Sequence, residues 1–221
     1  TSSYFHKRHS RSEVKSNMYG FLWYVDWLLM RLCFRFRVVG AENVPKTGGV
    51  VLCANHISAF DPLAVAAGQK RPVHFMAKKE IFKGGIINAV LEKVLYAFPV
   101  DRQKNDMKAI KTAIQLLKGG DVVGIFAQGT RVGGDDAAAA KGGVALIAVK
   151  SNVPVVPVHI MGSYGFRKRV TVVFGQPISL EEYQGQRLNT ALLTQIADRI
   201  MGQVLALGDR LALPDGETGK E

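Results

Sequence analysis

The chain has 221 residues, 48% of them hydrophobic and 21% charged, and a formal net charge of +11. That apolar content supplies the core of one compact domain and excludes wholesale disorder, while the excess of cations points to an anionic partner: nucleic acid, an anionic membrane surface or a phosphorylated substrate. Cys33 and Cys53 lie in apolar runs outside any C-x-x-C pair, which argues against a disulfide or metal framework and for a reducing compartment, and no run of about 18 uncharged apolar residues supports a transmembrane helix.

Residues 1–17 are polar and basic, with Lys7, Arg8, Arg11 and Lys15 among serines and histidines, and read as a flexible tail. A processed end, a start at Met18 and a transit peptide are all compatible with it. Residues 18–36 (MYGFLWYVDWLLMRLCFRF) are dense in aromatics and leucine, interrupted by Asp26, Arg31 and Arg35. Trp23, Tyr24 and Trp27 are types favoured at a water–lipid boundary, and Arg31 and Arg35 are spaced to share one helical face. The pattern predicts an amphipathic helix in a membrane interface, its cations toward anionic head groups; an ordinary helix packed on the domain is the competing reading.

Beyond this segment the texture alternates. Strands are expected at 37–40, 50–54, 73–77, 98–100, 122–126, 153–160 and 170–174. Helices are expected at 61–67, where Pro62 suits a first turn, and at 80–96, 106–117, 141–150 and 188–207. The alternation predicts an α/β fold: one domain over residues 38–208, with a mixed, mostly parallel sheet flanked by helices. The basic tail and membrane-associating helix (1–37) precede it, and a flexible tail (209–221) follows.

The first constellation that carries chemistry is Asn55-His-Ile-Ser-Ala-Phe-Asp61-Pro62. A His ends a buried strand, and an Asp opens the next helix. A turn between them brings the carboxylate to the imidazole, where it fixes the tautomer by accepting the Nδ1 proton and leaves Nε2 to act as a general base for a hydroxyl. The bland alternative is that Asp61 merely caps its helix and His56 is a loop residue.

The neighbours raise the specificity. Asn55-His56-x-Ser58-x-x-Asp61-Pro62 resembles the signature of the glycerolipid acyltransferase family, whose best-known members are 1-acyl-glycerol-3-phosphate acyltransferases. Further blocks follow in the family's order: Ala77-Lys-Lys-Glu-Ile-Phe82, Phe98-Pro-Val-Asp-Arg102, Phe126-Ala-Gln-Gly-Thr-Arg131 and Val153-Pro-Val-Val-Pro157-Val158. The resemblance runs from about residue 38 to about residue 180. It implies that His56 takes the proton from the acceptor hydroxyl and that Asp61 orients it. It also implies that Arg102, Gly129, Thr130 and Arg131 hold the acceptor, with Lys78 as a further cation. A guanidinium suits a phosphate monoester, which it can grip with parallel hydrogen bonds.

One departure matters. Ala127-Gln128 stands where the family usually has Pro-Glu. Gln128 keeps the length and can accept through its carbonyl, but it has lost the negative charge. A different lyso-lipid acceptor, or an inactive membrane-binding homologue, are the alternatives this leaves. The acyl donor is expected to be a thioester, acyl-CoA or acyl-carrier protein, with no cofactor and no metal. Oxyanion donors are expected among the backbone N–H groups of 56–58 or the 129–131 turn, and the acyl chain between the sheet and the 80–96 segment. No aromatic-basic block or Arg-rich run supports nucleic acid as a partner. The expected location is the cytoplasmic face of a membrane, held peripherally or monotopically on anionic lipid.

Overall fold

A computed structural model of the chain describes residues 19–82, 85, 96–100, 106–129 and 135–212. The apolar run at 50–54 becomes β2 (Val50–His56), buried through Asn55, as a near-continuous apolar run demands of a strand covered on both faces. Around it lie β1 (Arg35–Val39), β3 (Val73–Lys78), β4 (Phe98–Val100), β5 (Val122–Gly129), β6 (Val155–Gly162) and β7 (Arg169–Phe174). They form one seven-stranded sheet in the order β1-β7-β6-β2-β5-β3-β4. Only the β6–β7 ladder is antiparallel; the others are parallel. This is the expected mixed, mostly parallel α/β sheet.

The period-two alternation of strands sends Val50, Leu52 and Ala54 to one face and Val51 and Cys53 to the other. Helix α1 (19–33) and α2 (Asp61–Ala67) cover the first face through Met30, Ala64 and Val65. Helices α3 (Met107–Lys118), α4 (Asp135–Ser151) and α5 (Thr190–Ala212) cover the second through Leu117, Ile147, Ile196 and Ile200. The start of α3 is fixed by Asp106, whose Oδ1 accepts from the Lys108 and Ala109 N–H groups at 3.1 and 3.0 Å. Cys33 and Cys53 are free thiols, and burial pushes the Cys53 thiol up to about 12, where it is inert.

Several boundaries differ from expectation. The apolar texture of 18–36 does not stay helical. Helix α1 closes with Phe34 N–H donating to Met30 C=O, and Arg35 N–H already donates to Lys168 C=O at 2.8 Å. Pairing with β7 wins because it buries Phe36 in the core. Arg31 and Arg35 therefore do not share a helical face: Arg35 is a strand residue opposite Arg169, and the Arg31 guanidinium lies over the Trp27 ring, 4.7 Å from its centroid. Gly40 belongs to the turn after β1, β5 continues to Gly129, α4 begins at Asp135 and α5 runs to Ala212. Residues 79–81 form a 3₁₀ turn; most of the expected 80–96 helix, and with it the proposed acyl-chain channel, lies outside the described residues, as do 1–17.

Candidate active site

The parallel strands β2, β5 and β6 end together at one edge of the sheet, where open α/β sheets form their ligand crevices. There β2 and β5 change register. Ala54 pairs with Phe126, but Asn55 pairs with Gln128 and His56 with Gly129, leaving Ala127 as the extra residue of a bulge. Asn55 braces the other side. Its Nδ2 donates to Ile160 C=O at 2.8 Å and its Oδ1 accepts from Ile160 N–H at 2.7 Å. These bonds extend the β2–β6 connection beyond its last backbone pair, Ala54–Val158, so His56 is presented by a strand end held on both flanks.

The aromatic stack beneath His56 is built from two strands, β3 and β5. Gly124 of β5 leaves room for Phe75 of β3: a Cβ there would sit 2.4 Å from the Phe75 ring. Phe75 stacks on Phe126 with centroids 5.8 Å apart, and Phe126 stacks on the His56 imidazole at 4.5 Å. The imidazole thus has one apolar face supported while remaining about one-third exposed at the crevice.

Asp61 holds the imidazole edge. Its carboxylate is fully buried, and such a charge is costly unless donors surround it. Oδ2 accepts from His56 Nδ1 at 2.7 Å and from the Ile57 and Ser58 N–H groups at 2.6 and 2.7 Å; Oδ1 accepts from the Tyr164 hydroxyl at 2.7 Å. The capping alternative is therefore too small a role. Asp61 is the first residue of α2, after Phe60 at the cap position, and its carboxylate turns back to organise the whole 56–61 turn. Because a carboxylate can only accept, the proton of that bond sits on Nδ1. Burial, together with the charge and hydrogen bond of Asp61, holds the Tyr164 hydroxyl well above the usual tyrosine range, so it stays a donor.

These bonds also narrow the choice of oxyanion donors. The Ile57 and Ser58 N–H groups both point at Asp61 and are committed there, which removes them as oxyanion donors. Among the other expected site residues, the Gly129 backbone lies beside His56 and Gln128 opposite Asn55. Lys78 ends β3, paired with Val100. The side chains of Lys78 and Gln128 lie outside the described residues, as do Arg102, Thr130 and Arg131 altogether. Tyr164 and the bracing role of Asn55 were missed. Asn55 stood inside the motif, but nothing local marks a lone loop tyrosine 103 residues from Asp61. Among the described residues no group of His, Cys, Asp and Glu converges to hold a metal.

Comparison with known proteins identifies the family and the fold. Residues 35–161 match the family model described as Acyltransferase. A 1-acyl-sn-glycerol-3-phosphate acyltransferase of Bacillus subtilis (strain 168) is 36% identical over 153 residues, covering 66% of this chain and 75% of the relative. A protein of the same name from Borreliella burgdorferi is 26% identical over 199 residues, covering 80% and 79%. The crystal structure of the 1-acyl-sn-glycerophosphate (LPA) acyltransferase, PlsC, from Thermotoga maritima matches the fold with a TM-score of 0.60, at 23% identity, over 91% of this chain and 83% of that one.

Proposed function

The chain belongs to the acyltransferase family, and from that premise we propose that it transfers a fatty acyl group from an acyl thioester to the sn-2 hydroxyl of 1-acyl-glycerol-3-phosphate, giving phosphatidic acid for phospholipid biosynthesis. The observation that carries the mechanism is the 2.7 Å bond from His56 Nδ1 to the buried Asp61 carboxylate. It supports Nε2 as the general base. Nε2 takes the proton of the acceptor hydroxyl as its oxygen attacks the thioester carbonyl. Asp61 stabilises the imidazolium. The tetrahedral intermediate then collapses, the C–S bond breaks, and the imidazolium returns the proton to the departing thiolate. A thioester is activated already, so no covalent acyl-enzyme is required.

With the Ile57 and Ser58 N–H groups committed to Asp61, the backbone N–H groups of 129–131 are the favoured oxyanion donors, and Gly129 adjoins His56. Arg102, Thr130, Arg131 and Lys78 supply the phosphate contacts, and Gln128 the contact to the glycerol backbone. The donor is acyl-CoA or acyl-carrier protein, and no cofactor takes part.

The setting is a membrane surface on the cytoplasmic side. Helix α1 turns Tyr19, Asp26 and Met30 inward, yet its opposite face presents Phe21, Tyr24, Leu28 and Leu32 as exposed side chains. A surface helix that is apolar on both sides needs a non-aqueous neighbour. Among the described residues no helix is long and apolar enough to cross a bilayer; the outward apolar face of α1 is what supports its lying along the interface.

Radiolabelled acyl transfer from acyl-CoA to lysophosphatidic acid tests the reaction. The unmutated chain forms phosphatidic acid and His56→Ala lowers the rate by at least about a thousandfold, the scale seen when a general base is removed. Absence of transfer to any lyso-lipid by the unmutated chain sinks the proposal. Gln128→Glu assayed alongside shows whether the missing charge limits acceptor use.

A further inference from the structure

The connection between β6 and β7 presents a feature that acyl transfer does not use. Gly162 turns the chain out of β6 with φ +107°, where any Cβ would meet the Arg169 carbonyl at 2.1 Å. The loop 163–168 then packs on the end of α1. Arg167 N–H donates to Cys33 C=O at 2.7 Å, and Arg35 N–H to Lys168 C=O at 2.8 Å. At the tip, Phe166 is 82% exposed, the most exposed large apolar side chain described. Arg167, Lys168 and Arg169 follow it, all exposed, and Arg35 and Arg31 lie exposed on the adjoining ends of β1 and α1. Leu32 of α1 and Phe60 are exposed beside them, Phe60 in contact with Tyr164 at 5.7 Å between centroids. No Asp or Glu occurs in residues 27–41 or 162–180.

We infer that the 163–168 loop is a second lipid-inserting element: Phe166 enters the acyl region of a bilayer containing acidic phospholipids while Arg167, Lys168, Arg169 and Arg35 engage the head groups, so that α1 and the loop together set the His56 crevice on the lipid surface. The inference rests on the membrane setting proposed above and extends it from one helix to two contact points. Charge complementarity is the reason for the choice of partner. An apolar tip ringed by cations and free of carboxylates fits an anionic interface, where the ring is apolar-solvated and each cation gains from the surface potential. An acidic carrier protein would satisfy the cations but leave Phe166, Leu32 and Phe60 without an apolar neighbour. A single contact along α1 would leave the protein free to roll about that helix axis. A second contact near Asp61 removes that freedom, and the same loop carries the Tyr164 hydroxyl to Asp61.

The test is co-sedimentation of the full chain with vesicles of phosphatidylcholine alone or mixed with phosphatidylglycerol. Phe166→Ser is expected to weaken partitioning about tenfold on mixed vesicles, the scale of losing one buried aromatic side chain. The double variant Arg167→Glu with Lys168→Glu is expected to weaken it by about tenfold or more on mixed vesicles at low salt, with little effect on phosphatidylcholine alone or at high salt. Both variants retain transfer to a short-chain acceptor dissolved as monomers, so a loss on vesicles is not a loss of chemistry. If the unmutated chain transfers nothing while the vesicle results hold, the reaction is wrong and the docking surface stands. Partitioning equal to that of the unmutated chain in both variants overturns the inference. So does unchanged vesicle binding with a raised KM for acyl-carrier-protein donors alone, which would make the loop a protein dock.

Discussion

The two faces of the sheet carry helices of opposite character. On one, α5 buries Ile196, Ile200 and Val204 and turns Asp198, Arg199 and Gln203 to the surface. On the other, α1 buries a carboxylate, Asp26, and turns phenylalanine, tyrosine and leucine outward. Both helices contribute to the core, so core packing does not distinguish them. The outer faces do. The outer face of α5 is mainly polar, whereas that of α1 leaves Phe21, Tyr24, Leu28 and Leu32 exposed. His56, Asp61 and Tyr164 lie on the α1 side, beside Ile57, Phe126 and Phe34, which pack against the core there. One face therefore holds the fold together, and the other also works.

The largest loss of stability expected from that contrast is on the α3–α5 side. Ile200 is completely buried, and Ile200→Ala removes methylene contacts and leaves a cavity, costing about 3 kcal/mol of stability in urea unfolding. The folded fraction should turn over at the original rate. A fall in kcat without a fall in stability would break the division of labour between the faces.

A second effect, with a size set by pH, belongs to Asp26. It is nearly fully buried, and Oδ2 has no hydrogen-bond partner among the described residues. Desolvation raises its carboxyl from 3.8 to about 7. The folded state thus holds a proton that the unfolded state releases, and the stability that this proton confers is complete below about pH 4 and lost as pH rises towards 7. Asp26→Asn should flatten this slope. It should match the unmutated chain near pH 4 and exceed its stability by up to about 4 kcal/mol near pH 8. Unfolding midpoints across that range sharpen the contrast with α5, which buries no carboxylate among the described residues; parallel curves for variant and parent would remove it.

Legibility in the sequence follows the range of the forces involved. The His56–Asp61 pair was readable because it closes a single tight turn. The class of the sheet, mixed and mostly parallel, was readable because continuous Val-rich runs between helices have few other uses, whereas the strand order was not. The end of α1 was not. Residues 34–36 continue an apolar helical texture, and only pairing with β7, more than a hundred residues away, makes them strand. The commitment of Ile57 and Ser58 N–H to Asp61 was equally hidden, because it depends on the direction in which the first residue of α2 points. Asn55 announced itself by its neighbours, yet its bonds to Ile160 cross 105 residues.

Tyr164 is the extreme case of such hidden placement, and it offers the finest test of the contrast between faces. Its ring packs edge-on against Phe34 at 5.4 Å and near Phe60 at 5.7 Å, while its hydroxyl alone reaches Asp61. Tyr164→Phe keeps the ring and removes the donor. A hydrogen bond to a buried carboxylate contributes about 1.5 kcal/mol, roughly tenfold in rate if it serves the orientation of Asp61 in the transition state. The expected result is a kcat lowered about tenfold, an unchanged KM and little change in melting temperature. Tyr164→Leu should lose the ring packing as well and destabilise the fold. If both substitutions lowered stability equally and left kcat alone, Tyr164 would be a core residue like those under α5. A kcat effect confined to the loss of the hydroxyl would make it a positioning residue that holds Asp61 from the loop between β6 and β7.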